Sequence, residues 1–278
     1  MTHRVVAAAA LIVIGRLWAQ ERQNTEISTD RPDFTEATDT VAVGSVQFET
    51  GVLLSQHDLA SGPVRDIGGP QSLLRVGLAN IAELRLGSNG FTLESLTTGG
   101  QRQRHGGGAD PQVGAKVRLW EEHRYLPAFA VIGNLTLPGG NIWFTRGSLV
   151  PELDLCWSKS LRGGFETGGN VNFLRVIDEH VTEHAASFTV GHGLSRALDA
   201  YAEVYRISPI ADDEAAHWIA NGGIARRLGA NMQIDTEVGH SMNARTPYWF
   251  IGAGFAIRMS GLTLPWAPRR DTRATARP

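Results

Sequence analysis

Ser45–Ser55 reads SVQFETGVLLS, and its apolar side chains recur at every second residue. Val46, Phe48, Thr50, Val52 and Leu54 alternate with Gln47, Glu49, Gly51, Leu53 and Ser55. A period of two is that of a strand whose two faces meet different surroundings.

Working outward, the same pattern returns along the chain. Leu74, Val76 and Leu78 alternate with Arg75 and Gly77, and Ala82, Leu84 and Leu86 with Glu83 and Arg85. Val113, Ala115, Val117 and Leu119 alternate with Gln112, Gly114, Lys116 and Arg118. Leu153, Leu155 and Trp157 stand against Glu152, Asp154, Cys156 and Ser158, and Ile234, Thr236 and Val238 against Asp235 and Glu237. The last stretch sets Trp249, Ile251, Ala253, Phe255 and Ile257 against Gly252, Gly254, Ala256 and Arg258. About twelve segments of this kind are expected: 45–56, 70–80, 81–90, 110–121, 124–137, 148–159, 162–176, 182–194, 197–209, 214–228, 230–241 and 247–259. Each has about the nine to eleven residues, or slightly more, that a tilted strand needs to cross a bilayer. The spacing predicts an all-β fold, a transmembrane antiparallel β-barrel of about twelve strands over 45–259.

Connection lengths point the same way. Long ones (57–69, 91–109, 138–147, and more modestly 177–181, 210–213 and 242–246) alternate with tight links near Asn80, Glu121–His123, Ser160–Leu161, Ser195–Arg196 and Gly229. Outer-membrane barrels put short turns in the periplasm and longer loops outside, and have an even number of strands. Both ends of the barrel then fall in the periplasm.

The polar parity carries Glu49, Glu83, Glu152, Glu166, Glu203, Asp235 and Glu237 beside Arg75, Arg85, Lys116, Arg118, Arg227 and Arg258, with many glycines. A narrow lumen requires opposite charges paired across strands, because unpaired charge away from bulk water is costly. These residues are therefore the lumen and gating candidates. Phe48, Trp157, Phe165, Trp218 and Trp249 lie near strand ends, as interfacial girdles require, whereas Trp120 falls on the opposite parity.

Met1–Arg4 carries a short cationic region, Val5–Ile14 is apolar, and Ala19 offers a cleavage site, so 1–19 reads as a secretory signal peptide. At about ten residues the apolar run is too short for a spanning helix. No other run approaches that length, so a membrane form must be a barrel. Cleavage after Ala19 removes Arg4 and Arg16 and leaves about 24 basic against 28 acidic side chains. This mildly acidic balance offers nothing to nucleic acid. Cys156 has no cysteine to pair with in the chain.

Residues 20–44 form a polar periplasmic segment before the first strand, and 260–278 a polar C-terminal tail. Within the former, Asp30, Arg31, Asp33 and Glu36 crowd around Pro32 and Phe34 and cannot face lipid. They are expected to enter the periplasmic mouth and pair with Arg75, Arg85, Arg118 or Arg258 as a plug or gate. A plain periplasmic leader is the other reading.

No catalytic, metal or cofactor site is expected. His180, Glu183 and His184 spell HxxEH, a zinc pattern that works only on a helix. On a strand the two histidines stand about 13 Å apart. His192 and Ser195 differ by three and fall on opposite strand faces, and Ser195 suits a turn. Gly99–Gly108, GGQRQRHGGG, lacks the lysine and the following helix of a phosphate-binding loop. It is expected to be a flexible surface loop whose arginines touch lipopolysaccharide phosphates.

Several stretches resemble a known family in order and spacing. STDRPDFTEA at 28–37 is similar to the opening of the outer-membrane transporters named for the meta-pathway of phenol degradation. GLANIAELRLG (77–87), ADPQVGAKVRLWEE (109–122), LPAFAVIGNLTLPGG (126–140) and YAEVY (201–205) resemble later family segments. The resemblance spans most of 28–258. It implies an outer-membrane β-barrel for uptake of small hydrophobic or aromatic molecules, with outer-membrane lipid, lipopolysaccharide, a small solute and the barrel-assembly machinery as partners. Such barrels end on an aromatic residue, whereas here the last strand reaches Met259 before the polar tail. A non-transporting barrel, either a surface protein or a lipid-modifying enzyme, is the alternative. Oligomeric state stays open.

Overall fold

The computed structural model describes residues 26–59, 62–178, 180–208, 216–242 and 247–262. The expected signal peptide and most of the polar tail lie outside the described residues, as do 20–25.

Fourteen strands run in order among the described residues: β1 (Ser45–Leu59), β2 (Gly62–Ala79), β3 (Ala82–Ser88), β4 (Phe91–Thr98), β5 (Gln101–Gly108), β6 (Pro111–Trp120), β7 (Ala128–Thr136), β8 (Val150–Ser160), β9 (Phe165–Val176), β10 (Val181–Gly193), β11 (Leu198–Ile207), β12 (His217–Arg227), β13 (Met232–Ser241) and β14 (Tyr248–Ser260). Twelve of them, all but β4 and β5, close on themselves, because β1 pairs antiparallel with both β14 and β2. Closure leaves the barrel with no open edge, the condition for crossing a bilayer with strands.

The surface is inverted relative to a water-soluble domain. Lumen-facing Gln47, Glu49, Arg75, Glu83 and Lys116 are almost fully buried. Leu54, Ile67, Leu93, Val238 and Ile251 on the alternate parity are exposed, Val238 by 59%. The observed faces of β1, β3, β8, β13 and β14 thus agree with the sequence parity, and the architecture is the expected antiparallel barrel of twelve strands.

Two expected loops are strand instead. Residues 57–69 contain the ends of β1 and β2, and 91–109 contains the β4–β5 hairpin, which pairs along Val64–Gly69 of β2 above the barrel. On β5, Gln101–Arg104 are all exposed. With both faces exposed the chain carries no period-two signal, so backbone pairing alone maintains the extension. The link after β6 is also longer than expected and runs to Pro127. Trp120 corrects a parity. A register shift between Arg118 and Trp120 inserts one residue, so Trp120 turns outward and stacks on Phe129 at 4.9 Å. Its indole N–H donates to the Pro127 carbonyl.

Candidate functional site

Residues 26–44 run inside the barrel as a re-entrant loop from the short-turn end. The Ile27 N–H donates to the Ala230 carbonyl in the turn after β12. The chain reaches mid-barrel at Phe34 and Thr35, where both amides donate to the Glu203 carboxylate on β11. It then returns past β8, where the Thr38 hydroxyl meets Ser158, to β3, where the Val41 N–H donates to Glu83. Partners on β1, β3, β6, β8, β10, β11 and β13 surround it.

Its first anchor is Asp30, whose side chain is 2% exposed. Lys116 Nζ donates to both carboxylate oxygens at 2.7 and 2.8 Å, Arg85 donates to Oδ2, and Arg75 lies 3.3 Å away. Burial opposes ionisation here, but Arg75, Lys116 and Arg85 outweigh it and hold the carboxyl well below its usual range. Both Glu36 carboxylate oxygens accept from Arg85 Nη2, at 2.9 Å. Arg75 is further held by Glu83 and Glu49 at 2.8 and 2.9 Å. Hydrogen-bonded charges of this kind, away from water, hold where exposed pairs of about 0–1 kcal/mol do not.

The second anchor is Arg31. It lies across the paired glycines Gly51 and Gly254, where any Cβ would come within 2.3 Å and 2.5 Å of its guanidinium. It reaches Gln71 at 3.0 Å and Asp235 at 3.7 Å. The third is Phe34, stacked on Tyr205 with ring centroids 4.4 Å apart and packed with Leu53, Ile219, Tyr248 and Phe250.

Asp33 departs from the expected pairing. It faces carboxylates, and burial first, then Glu203, pushes its carboxyl well above the usual range, with Glu237 and Asp30 adding to the effect. Arg258 departs too: it donates to the Glu26 and Ala230 carbonyls and to the Asn231 amide oxygen. Arg118 meets Asp39 and Glu121, each at 3.5 Å. Arg227 pairs with Asp199 and with Glu26 near the short-turn end. Glu166 is exposed at that rim beside Ser160, so it does not line the central lumen.

Above the segment, toward the loop end, remains a cavity of about 610 Å³. Its floor is Asp30–Phe34 and Glu36. Phe34, Tyr205, Tyr248 and Phe250 form one wall, while Gln112, Asn134, Glu152, Asp154 and Asn172 form the other. The sequence reading missed the aromatic wall and Asp154 and Asn172 as site residues. Their signal was available, because Tyr205 shares parity with Glu203, and Tyr248 and Phe250 oppose outward Trp249. Loop 137–149 contributes Phe144 and Arg146. Asp110 organises it, accepting from the amides of Gly139, Gly140 and Arg146 and from the Thr145 hydroxyl.

Of the motifs read as non-catalytic, only Glu183 reaches the edge of this cavity, through its pair with Arg146. His184 meets Phe173 edge-on, Glu183 pairs with Arg146, and His180 has a left-handed backbone in the turn before β10. His192 stacks on Phe165, and Ser195 accepts from the Ala197 amide in the turn after β10.

Among solved structures, an outer membrane channel from Pseudomonas putida F1 is similar with TM-score 0.57 and 13% identity, over 80% of this chain and 98% of that one. The translocator domain of the autotransporter NalP from Neisseria meningitidis gives TM-score 0.49 and 10% identity, over 92% and 98%. The CymD monoaromatic hydrocarbon channel gives 0.43 and 8%, over 80% and 90%. At 13% identity the first of these likenesses concerns the fold alone. A comparison with curated proteins gives no match. A closed barrel with a polar inside and an apolar outside belongs in the outer membrane. Residues 29–259 match the family described as "Putative MetA-pathway of phenol degradation", and the chain belongs to that family.

Proposed function

We propose that this chain is an outer-membrane channel for small aromatic molecules, closed from the periplasmic side by residues 26–44. The observation that carries the reading is the cavity above the segment, with its aromatic wall facing a wall of amides and carboxylates. An aromatic ring stacks on the first, and a ring hydroxyl finds acceptors on the second. Below it, Asp30, Arg31 and Phe34 fill the lumen, so passage requires the segment to move. The chain is read as transporting without catalysis, and as reaching the membrane through the barrel-assembly machinery.

Planar-bilayer recording tests this. Deleting Thr29–Glu36 should raise single-channel conductance while the barrel still inserts, and phenol-sized solutes added on the loop side should interrupt the current. Normal insertion with unchanged conductance would remove the gate, and a silent barrel in both forms would favour a non-transporting surface or lipid-modifying role.

A further inference from the structure

Outside the barrel, the β1–β2–β4–β5 ridge aligns charge above an apolar surface. The register places Gln56, Arg65, Ser95 and Arg104 in one cross-strand row. Arg102 lies two residues along β5 on the same face. The next row toward the barrel is Leu54, Ile67 and Leu93, exposed by 43%, 53% and 53%. That row belongs to the lipid-facing parity; Arg65 and Arg104 stand about 7 Å beyond it on the loop side, and Arg102 about 13 Å.

Arg65, Arg102 and Arg104 are exposed. Arg65 Nε donates to Gln56 at 2.9 Å and Arg102 Nε to Ser95 at 2.5 Å, so both guanidinium groups are steered by their inner nitrogen and keep their outer donors free to reach outward. Among the described residues none of the three has a carboxylate partner. Asp58, at the margin of the patch, is engaged by Gln56.

We propose that this patch binds the bisphosphorylated headgroup of lipid A in the outer leaflet. Guanidinium forks match phosphate oxygens in pairs, and removing them from bulk water beside the acyl region strengthens the contact. Arg65 and Arg104 stand two strands apart, about 10 Å. That separation suits two phosphates carried at opposite ends of a disaccharide better than the single phosphate of a glycerophospholipid. The site rests on the outer-membrane location of the barrel.

Native mass spectrometry of the full chain in detergent, titrated with defined lipids, tests the site. Bisphosphorylated lipid A should bind the wild-type barrel more tightly than monophosphorylated lipid A or phosphatidylglycerol, and inorganic phosphate should not compete. Each of Arg65→Gln, Arg102→Gln and Arg104→Gln should weaken lipid A about fivefold, whereas Arg175→Gln on distant β9 should not. Equal binding of the two lipid A forms by the wild type would overturn the proposal without any variant. So would unchanged affinity in a triple variant that still shows heat-modifiable mobility. Loss of that mobility in the wild type would instead count against the barrel reading itself.

Discussion

The Arg31 guanidinium occupies the place where a Cβ on Gly254 would stand, 2.5 Å from its Nε. The same Cβ would meet Asp235 Oδ1 at 2.6 Å. Gly254→Ala should therefore displace Arg31 and loosen the segment without touching the β13–β14 or β1–β14 hydrogen bonds. The expected result is raised conductance with normal heat-modifiable mobility. Wild-type conductance in this variant would show that Arg31 does not hold the segment.

Asp30 contacts three cations at once, beside Glu49, Glu83 and Glu36, so Asp30→Asn leaves Arg75, Arg85 and Lys116 buried with less compensating charge. Removing one member of a buried charge cluster costs about 3–5 kcal/mol. The cost should fall on docking of the segment, read as new protease sensitivity in residues 26–44. Protection equal to wild type would place the anchoring elsewhere.

Asp33 should make docking depend on pH. A carboxyl whose pKa is raised on docking favours the docked state when protonated, and that advantage is lost as pH rises from its ordinary 3.8 through the raised value. The groups opposing its charge are Glu203, Glu237 and Asp30. Asp30 has the opposite sign: its contribution is present above 3.8 and lost as pH falls through its lowered value. Conductance should increase toward alkaline pH in the wild type and less steeply in Asp33→Asn, where Glu36, raised by burial to about 8, still titrates. An unaltered pH profile in that variant would assign the titration to another group.

Asp110 tests the loop over the cavity. Slight burial would raise its carboxyl, but the Gly139, Arg146 and Gly140 amides and the Thr145 hydroxyl bring it down to about 2. Its support of loop 137–149 is complete above 3.8 and lost as pH falls toward 2. Asp110→Ala should expose the Arg146 bond to trypsin at neutral pH, with barrel mobility unchanged. Resistance to cleavage would mean the loop is held by other contacts.

The outward parity can be tested by insertion. Val238→Arg puts a charge on a lipid-facing position and should cost roughly 2–4 kcal/mol near the bilayer midplane. Cys156→Ser, on the lumen side against Ala130 and Ile132, should insert normally. Equal insertion yields for the two would refute the assignment of faces.

Much of this architecture is written in single strands. Val46–Leu54 and Trp249–Ile257 reveal their faces by alternation, and Glu49, Glu83 and Lys116 on the other parity are buried as an interior requires. The β4–β5 extension escaped because a strand exposed on both faces, as at Gln101–Arg104, has no alternation to read. Trp120 escaped because one inserted residue reverses parity and nothing local marks the insertion.

The twelve barrel strands, the inward faces of β1, β3, β8, β13 and β14 and the family resemblance were legible in the sequence itself, since period-two alternation is a local property of the backbone in two unlike surroundings. Which charge meets which was decided only by closure of the barrel. Phe34 reaches Glu203 across 169 residues, and Thr29 reaches Gln233 across 204. Asp30 finds three cations and Asp33 finds carboxylates, although the two residues differ by three positions and carry the same group. Their opposite circumstances arise because the lumen surrounds the segment on every side, and the turn at Pro32 aims the two side chains at different walls.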